Sequence, residues 1–305
     1  MGNFVLKNWG IRGNVLKNAS MKRYTSMKVG GPVEYLVYPA DETDLLETIH
    51  VLKEENIKYR FIGNGTNIIV SDKGFKGVVI RITRIRRLQY EKTSDDAVVV
   101  KVSGGSSLKK FIKDNAMRGF GGLERLYWIP GTVGGAIKMN AGSFGSSISD
   151  TLEAATVLND KGDITEMDMG NLSFSYRKSP VSNTECVINA VFQLKKMDKT
   201  EILEGMEYVF HERKKRHPME FPSSGSVFRS VNDKPAWQYV EKAGLRGLKI
   251  GGACISEKHS NFIINLGHAT AQDIKILIEK VKKEVFEKLG VSLEEEVEMW
   301  GFDEN

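Results

Sequence analysis

The chain has 305 residues, more than a single hydrophobic core usually holds, so we expect two or three domains. Hydrophobic residues make up 41% and charged residues 27% of the chain, which are ordinary values for a soluble globular protein. The formal net charge of +5 is mild and scattered along the chain, and this argues against nucleic-acid binding.

Cysteine content and hydropathy indicate the cellular compartment in which the protein is expected. Cys186 and Cys254 are the two cysteines; they provide neither a disulfide framework nor the spacing of a metal site, and they suit a reducing compartment. The first residues lack the apolar core of a signal peptide, and no apolar run approaches transmembrane length. We therefore expect a cytoplasmic protein with no bound metal and no membrane insertion.

The first two thirds of the chain show alternating strand and helix patterns. Residues 1 to about 20 are weakly patterned and are expected to form an N-terminal arm or a short helix. Asp41 is predicted to cap the first clear helix, because Leu45, Ile49 and Leu52 recur behind it at helical spacing. The other predicted elements are strands at 35–39, 59–62, 68–70, 77–82, 97–102 and 186–194, a helix at 108–117, and a hairpin of 154–158 and 164–167.

A charged connector at 195–199 marks the predicted domain boundary. After it we predict an amphipathic helix at 200–216 with Ile202, Met206, Val209 and Phe210 inward. Further predicted elements are a short helix at 236–243, a strand at 261–265, a helix from Thr270 to Leu289 that ends at Gly290, and a strand at 297–300. The mixed order predicts an α+β fold, divided into an arm (1–20), a first domain (21–196) and a second domain (197–305).

Two glycine-rich stretches favour a phosphate-bearing cofactor. Gly63-Asn64-Gly65-Thr66-Asn67 lies between two apolar runs, and Ile129-Pro130-Gly131-Thr132-Val133-Gly134-Gly135-Ala136 leads to Asn140-Ala141-Gly142. Glycine lets the backbone approach a ligand closely, and consecutive N–H groups can form an anion-binding concavity. The second stretch also opens a predicted helix, whose free N–H groups would favour a pyrophosphate. Each stretch alone could equally be an ordinary glycine turn.

Three polar residues far apart in the sequence are candidates for chemistry. Arg177 follows a tyrosine, Ser226 lies in a glycine-flanked predicted turn, and Glu296 ends a run of three glutamates. Each has an ordinary alternative as a surface cation, a turn residue or a solvated acid. The basic run 213–217 is a further candidate: it is either the solvated end of a helix or a contact with an acidic ligand.

Taken together, the motifs resemble those of the UDP-N-acetylenolpyruvoylglucosamine reductases, the MurB family. The resemblance covers about residues 24 to 301. It rests on the two glycine stretches and, in addition, on Thr25-Ser26-Met27-Lys28-Val29-Gly30-Gly31, Tyr176-Arg177-x-Ser179, Gly225-Ser226-Val227-Phe228, Gly244-Leu245-Arg246-Gly247, Ser256-x-Lys258-His259-x-Asn261-Phe262 and Glu296-Val297. The order and spacing of so many matches make chance similarity an unsatisfactory explanation.

The resemblance implies a two-lobed flavin-binding fold of the PCMH or vanillyl-alcohol-oxidase type, followed by an α+β substrate domain. It implies non-covalent FAD, NADPH as hydride donor, and UDP-N-acetylglucosamine enolpyruvate as the substrate reduced to UDP-N-acetylmuramate. The interval between Arg177 and Ser226 is short, so the chain resembles the compact subclass that lacks a tyrosine-bearing loop. A monomer is the working expectation.

The resemblance also assigns residues. The expected catalytic residues are Arg177, Ser226 and Glu296. The expected cofactor residues are Gly63, Asn64, Gly65, Thr66, Asn67, Ile129, Pro130, Gly131, Thr132, Gly134, Gly135, Ala136, Asn140 and Gly142. Expected substrate contacts are Tyr176, Arg213, Ser230, Lys258, His259 and Asn261, where His259 could equally be a structural histidine.

Each catalytic role has a chemical reason. Hydride addition to an enol ether beside a carboxylate develops negative charge there, which Arg177 would stabilise with its planar fork. A neighbouring carboxylate and partial burial would raise the pKa of Glu296 and make it a hydrogen-bond donor. Ser226 would then donate the proton to carbon.

Two positions depart from the family pattern. Trp128 replaces an expected glycine, so its ring either packs near the flavin or only reshapes the loop. Ser230 stands where some members carry asparagine.

Three alternative functions remain open. They are a flavin oxidoreductase acting on another substrate, a binding protein without catalysis and, on mild basicity alone, a nucleic-acid-binding protein.

Overall fold

In the computed structural model, which describes residues 10–92, 94–168 and 174–302, strands and helices mix as predicted for an α+β protein. The helices are α1 (Glu42–Glu54), α2 (Leu108–Ala116), α3 (Val133–Lys138), α4 (Lys199–Arg216), α5 (Ala236–Lys242) and α6 (Ala271–Leu289). Short 3₁₀ turns occur at Met21–Arg23, Glu124–Leu126 and Ile148–Asp150.

The strands are short except in the largest sheet. In chain order they are β1 (Asn14–Ser20), β2 (Pro32–Tyr38), β3 (Tyr59–Phe61), β4 (Ile68–Val70), β5 (Phe75–Ile80), β6 (Leu88–Lys92), β7 (Ala97–Ser103), β8 (Phe120–Gly121), β9 (Gly142–Ser143), β10 (Ser146–Ser147), β11 (Leu152–Leu158), β12 (Ile164–Asp168), β13 (Cys186–Lys196), β14 (Ser223–Ser226), β15 (Lys249–Ile250), β16 (Ala253–Ile255), β17 (Phe262–Asn265) and β18 (Glu298–Trp300).

The chain divides into two compact units, and each is built from several segments. The first unit contains residues 1–17, 35–63 and 77–211, and the second contains residues 18–34, 64–76 and 212–305. Our predicted boundary at 196/197 divides the chain only once. The structure instead has five boundaries between the units, which lie within β1, within β2, between Gly63 and Asn64, within β5 and within α4.

The first unit contains one large sheet, the short pair of β9 and β10, and most of a four-stranded sheet whose strands β1, β2 and β5 each belong to it only in part. A six-stranded sheet has the order β12-β11-β13-β7-β6, with β8 also paired to β13. Its central strand β13 alternates buried and accessible residues, and Phe192 is fully buried against Phe111 of α2, with ring centroids 5.2 Å apart. A four-stranded sheet has the order β1-β2-β5-β3, and α1 covers it with Leu45, Ile49 and Leu52.

Local sequence explains where α1 begins. The Asp41 carboxylate accepts a hydrogen bond from Asp44 N–H, as predicted for an N-cap. The Asp44 carboxylate in turn accepts hydrogen bonds from the backbone N–H groups of Arg12, Gly13 and Ala40. This buried carboxylate therefore fixes the start of the helix to the segment before β1.

The second unit packs α6 against a four-stranded sheet of order β14-β17-β16-β15. The strand β18 pairs in parallel with β4, with Met299 opposite Ile69. α6 begins in a capping box of Thr270 and Asp273 and ends at Gly290, which has φ 67°.

Three predicted local structures are corrected. Residues 14–20 form strand β1 rather than a helix, and the rest of the predicted arm, residues 1–9, lies outside the described residues. Residues 223–226 form strand β14 rather than an isolated turn. Residues 88–92 form strand β6, which the sequence reading did not identify.

Candidate active site

The second glycine stretch begins α3 but uses its own N–H groups internally. The Thr132 hydroxyl accepts from Gly135 N–H at 3.2 Å, as expected for an N-cap. Val133 N–H donates to Ser106 O at 2.9 Å, and Gly134 N–H donates to Gly104 O at 2.8 Å. The expectation that these first-turn N–H groups are available to a pyrophosphate is therefore wrong, although the stretch keeps its predicted position at the start of a helix.

A third glycine loop was missed in the sequence. Ser103-Gly104-Gly105-Ser106-Ser107 joins β7 to α2, and its backbone carbonyls receive the two hydrogen bonds from α3. Leu108 N–H completes the pairing by donating to Gly131 O at 3.1 Å. The signal was visible: two adjacent glycines flanked by serines between a predicted strand and a predicted helix.

Gly63 lies against the second glycine stretch within the first unit. A Cβ at Gly63 would lie 2.5 Å from the Thr132 Oγ1 atom, so a larger side chain cannot fit without movement. The Arg81 Nε atom donates to Gly63 O at 3.0 Å and holds this end of the loop from the other side. The two predicted cofactor stretches thus meet here, and Arg81 is a further loop-holding residue that sequence reasoning missed.

The rest of the first stretch belongs to the second unit. Gly65 has φ 63°, and a Cβ there would lie 2.1 Å from Tyr24 O, so this glycine is required by close backbone approach within the protein. Asn67 is fixed by two bonds: its Nδ2 donates to Glu296 O at 3.0 Å, and its carbonyl accepts from Glu298 N–H at 2.9 Å. Asn67 therefore connects the loop to a predicted catalytic residue.

Arg177 is anchored to the end of the second glycine stretch, in the first unit. Its Nη2 donates to Gly142 O at 3.0 Å and its Nη1 to Asn140 O at 3.5 Å. Arg177 has φ 54°, a conformation that is uncommon for a residue with a side chain. The predicted substrate contact Tyr176 is 56% exposed, with its ring centroid 5.1 Å from the Arg177 guanidinium carbon.

Ser226 and Glu296 are brought together in the second unit. Ser226 ends β14 opposite Phe262 of β17, after a bulge at Gly225, which has φ 77°. The next residue, Val227, accepts a 2.7 Å hydrogen bond from Glu296 N–H through its carbonyl. Two predicted catalytic residues, 70 positions apart in the last segment of the second unit, thus lie on neighbouring backbone segments.

Asn261 fixes the backbone that follows Ser226 through three hydrogen bonds. Its Oδ1 accepts from Phe228 N–H at 2.9 Å and its Nδ2 donates to Phe228 O at 2.8 Å, while its own carbonyl accepts from Val227 N–H at 2.8 Å. The side chain is buried. These bonds give Asn261 a structural role behind Ser226, and its predicted substrate contact remains a prediction.

His259 sits in an aromatic cluster. Its ring centroid lies 4.8 Å from that of Phe262 and 5.4 Å from that of His217, and its Nδ1 accepts from Asn261 N–H at 3.2 Å. Burial lowers the pKa of His259, and it lowers the pKa of His217 to about 3 with further lowering by the Arg213 charge. Both rings are thus held neutral, which favours the structural alternative left open for His259.

The remaining predicted substrate contacts differ in accessibility. Arg213 is buried, although the neighbouring residues 214–216 are exposed, so the solvated-helix alternative does not describe Arg213. Lys258 is partly accessible and forms a 3.8 Å ion pair with Glu220. Ser230 is half-buried.

Trp128 packs against protein groups on both faces of its ring. Its ring stacks on Phe210 of α4 with centroids 4.9 Å apart, and the Lys109 Nζ atom lies 2.9 Å from its centroid. The same ring borders a cleft of about 340 Å³, whose lining residues are Lys113, Tyr127, Trp128, Leu203, Met206, Glu207 and Phe210. Trp128 has φ 68°, the conformation that suits the glycine expected there.

Each unit has a buried polar atom without a partner among the predicted site segments. Within the described ranges, the Asn140 Oδ1 and Ser224 Oγ atoms are buried and have no hydrogen-bond partner. Such atoms are costly unless a ligand or water pairs them. Asn140 belongs to the predicted cofactor stretch of the first unit, and Ser224 lies on β14 of the second unit, two residues before Ser226.

The described residues contain neither a metal-binding cluster nor a membrane-spanning helix. No group of three or more His, Cys, Asp or Glu side chains there has a metal-binding arrangement. The helices of those ranges all fall short of the length and apolarity that a bilayer-crossing segment requires.

Family profiles match both parts of the chain. A profile described as an FAD binding domain matches residues 33–168, and one described as UDP-N-acetylenolpyruvoylglucosamine reductase, C-terminal domain, matches residues 217–300. The first match places the chain among proteins with FAD-binding domains of the expected PCMH type.

Whole-chain relatives agree with the profiles. UDP-N-acetylenolpyruvoylglucosamine reductase 1 of Bacillus cereus is 41% identical over 292 residues, covering 95% of this chain and 95% of that protein. The UDP-N-acetylenolpyruvoylglucosamine reductase of Syntrophus aciditrophicus is 38% identical over 96% of this chain and 94% of its own length. The crystal structure of UDP-N-acetylenolpyruvylglucosamine reductase (MurB) from Thermus caldophilus aligns with a TM-score of 0.78 at 34% identity, over 95% of this chain and 99% of the other. The chain therefore belongs to the UDP-N-acetylenolpyruvoylglucosamine reductase family.

Proposed function

We propose that this protein is an NADPH-dependent flavoenzyme that reduces UDP-N-acetylglucosamine enolpyruvate to UDP-N-acetylmuramate. The main support is the placement of Ser226 beside Glu296, through the 2.7 Å bond from Glu296 N–H to Val227 O, in a chain of this family. Non-covalent FAD is the cofactor, and the Gly63–Asn67 stretch contains no histidine or cysteine that could link it.

The overall reaction consumes one hydride and one proton. When bound, the flavin carries the hydride from NADPH to the vinyl carbon of the enolpyruvyl ether. Ser226 delivers the proton to the adjacent carbon, and such general-acid assistance is typically worth about 10²–10⁴-fold in rate. NADPH becomes NADP, the carbon–carbon double bond becomes single, and the ether bond to the sugar is kept.

Arg177 is proposed to stabilise the carboxylate of the substrate. Hydride addition spreads negative charge onto that group, and a guanidinium held by two backbone carbonyls is suited to receive it without reorganising. Glu296 is proposed as the second partner of this carboxylate. Tyr176, Arg213, Ser230, Lys258, His259 and Asn261 remain the proposed substrate contacts, of which Asn261 acts at least through the backbone of Phe228.

The two proposed domains divide the work between cofactor and substrate. We assign cofactor binding mainly to residues 21–196 and substrate binding to residues 197–305. The profile matches at 33–168 and 217–300 lie inside these ranges and support the assignment. In a cell, the activity would supply a cytoplasmic precursor of peptidoglycan, and so contribute to cell-wall synthesis, cell shape and division.

Anaerobic mixing tests the proposal directly. The purified protein is mixed first with NADPH and then with the enolpyruvyl sugar nucleotide, while flavin absorbance is recorded. We expect bleaching by NADPH and recovery on addition of the sugar nucleotide. Bleaching without recovery would instead indicate a flavin oxidoreductase with another substrate, and a protein that takes up no flavin would refute the proposal.

A further inference from the structure

Two segments of the first unit, residues 138–142 and 175–179, form a hydrogen-bonded junction. We call it the arginine junction. Asn140 Nδ2 donates to Ser175 O at 3.0 Å, and Ser179 Oγ donates to Lys138 O at 2.8 Å. The two bonds from Arg177 to Asn140 O and Gly142 O run between the same segments. The end of a cofactor stretch and the loop that carries Arg177 are therefore joined at four points.

Backbone conformation shows that the junction is constrained. Asn140 has φ 39° and Arg177 has φ 54°, so both are left-handed. Asparagine tolerates this region, whereas arginine adopts it only at an energetic cost. A residue stays in such a conformation when its surroundings fix it, and the four bonds of the arginine junction do so.

In the Asn140 side-chain amide, the nitrogen has a hydrogen-bond partner and the oxygen has none within the described residues. Its nitrogen donates to Ser175 O, but within the described residues no group donates to its Oδ1, and the side chain is only 8% exposed. A buried acceptor without a donor has an energetic cost, because it has lost its hydrogen bonds to water. A hydrogen-bond donor on bound FAD would remove this cost, and Asn140 lies in the FAD-binding domain next to the α3 stretch.

We infer that Asn140 is a positioning residue that couples FAD occupancy to the placement of Arg177. FAD donates to the Oδ1 atom, which fixes the amide plane and so holds the nitrogen on Ser175 O. The loop of Arg177, which the four bonds already hold, then opens less often before any substrate binds. The assignment of a substrate carboxylate to Arg177 rests on the proposed function, whereas the coupling itself does not.

Hydrogen–deuterium exchange with and without FAD tests the coupling, and no sugar nucleotide is required. In the natural protein, FAD is expected to slow exchange in peptides covering 174–180 at least severalfold. In Asn140→Ala at saturating FAD, this slowing is expected to be lost, and the FAD dissociation constant to rise roughly tenfold. Asn159→Ala is the control, because Asn159 holds a turn of the same unit through Lys161 N–H and Asp163 N–H, away from the arginine junction. It should keep both the natural FAD affinity and the natural slowing.

A second variant covers the possibility that Asn140→Ala does not fold. Ser179→Ala removes one bond of the arginine junction but leaves the Asn140 acceptor intact. We expect faster exchange at 174–180 with and without FAD, and an FAD dissociation constant within about twofold of the natural value. Slowing by FAD that persists in Asn140→Ala, or no slowing in the natural protein, would overturn the inference. Neither result would bear on whether the sugar nucleotide is reduced.

Discussion

Ser226 carries the proton-transfer step in the proposed reaction, so its hydroxyl is the first group to remove. Ser226→Ala should leave flavin reduction by NADPH nearly unchanged and slow flavin reoxidation by the sugar nucleotide about 10²–10⁴-fold. Stopped-flow absorbance of the two half-reactions measures both rates. Ser223→Ala is the matched control on the same strand, since Ser26 Oγ donates to the Ser223 backbone carbonyl, which alanine keeps. Equal losses in both half-reactions would mean that Ser226 is structural.

Gly63 gives a prediction about the cofactor loops. In Gly63→Ala the new methyl group would lie 2.5 Å from Thr132 Oγ1, so the two glycine stretches must separate. We expect FAD affinity to fall about tenfold or more, equivalent to about 1.4 kcal/mol. Titration followed by flavin fluorescence measures it.

The control for this prediction is a glycine with room in the same unit. Gly205→Ala places its methyl group 3.3 Å from the flexible Glu124 side chain, inside helix α4. It should bind FAD normally and be up to about 1 kcal/mol more stable, because alanine favours helices. Unchanged FAD affinity in Gly63→Ala would show that the contact between Gly63 and Thr132 does not shape the cofactor site.

At the residue scale, the order of the motifs along the chain was enough to choose candidate catalytic residues. It did not show which residues lie close together in the fold. Ser226 and Glu296 were chosen from separate motifs, and the structure brings their backbones together at Val227. Arg81 and Gly104 were missed because each has an ordinary interpretation. Arg81 resembles any charged residue of a strand, and Gly104 resembles any glycine of a turn. Their role depends on what they meet, Gly63 O and Gly134 N–H, and those partners are distant in sequence.

Among the elements, α6 has the most complete N-terminus. Thr270 and Asp273 cap each other, and the Asp72 carboxylate also accepts from the N–H groups of Ala271 and Gln272. Carboxylates at a helix N-terminus are favoured by the helix dipole. The start of α6 is thereby tied to the loop that follows β4.

Thr270→Ala should therefore destabilise the second unit by about 1 kcal/mol, the usual loss for an N-cap. Urea unfolding followed by far-ultraviolet circular dichroism measures the change. Thr270→Ser keeps the accepting hydroxyl and should retain most of the stability. If alanine and serine variants were equally stable, the Asp72 contacts alone would account for the cap.

Elements with strong apolar periodicity were predicted within a few residues. The strand β4 was predicted at Ile68–Val70, where it occurs, and α6 was predicted from its cap to Gly290. β14 was missed because Ser-Ser-Gly-Ser has no apolar residue and low strand propensity. It becomes a strand because β17 pairs with it, and such a tertiary partner leaves no local signal.

For the whole molecule, two partly buried histidines make the folding stability depend on pH in the acid range. The pKa of His217 is lowered to about 3 by burial and by the Arg213 charge, and burial lowers the pKa of His259 as well. In the unfolded chain His217 takes up a proton as the pH falls through about 6.5, whereas in the folded protein it stays neutral until the pH approaches about 3. Stability is therefore fully present above pH 6.5 and is lost toward pH 3.

His217→Gln should flatten this dependence. Through His217, the natural protein is expected to lose about 1.4 kcal/mol of unfolding free energy per pH unit between pH 6.5 and about 3, and the variant should lack this loss. Urea unfolding at a series of pH values gives the slopes. His50→Gln, at an imidazole whose side chain is 74% exposed, is the matched control for the replacement of a histidine by glutamine. Identical slopes for the natural protein and His217→Gln would contradict the prediction.

The segmented second unit also bears on biosynthesis. β4, made early as residues 68–70, pairs with β18, which consists of residues 298–300. A ribosome must therefore translate more than two hundred further residues before Ile68–Val70 can find this partner, and exposed strand edges invite aggregation during such a wait. The first unit contains no residue beyond 211, so all of its residues have been synthesised long before β18 is made.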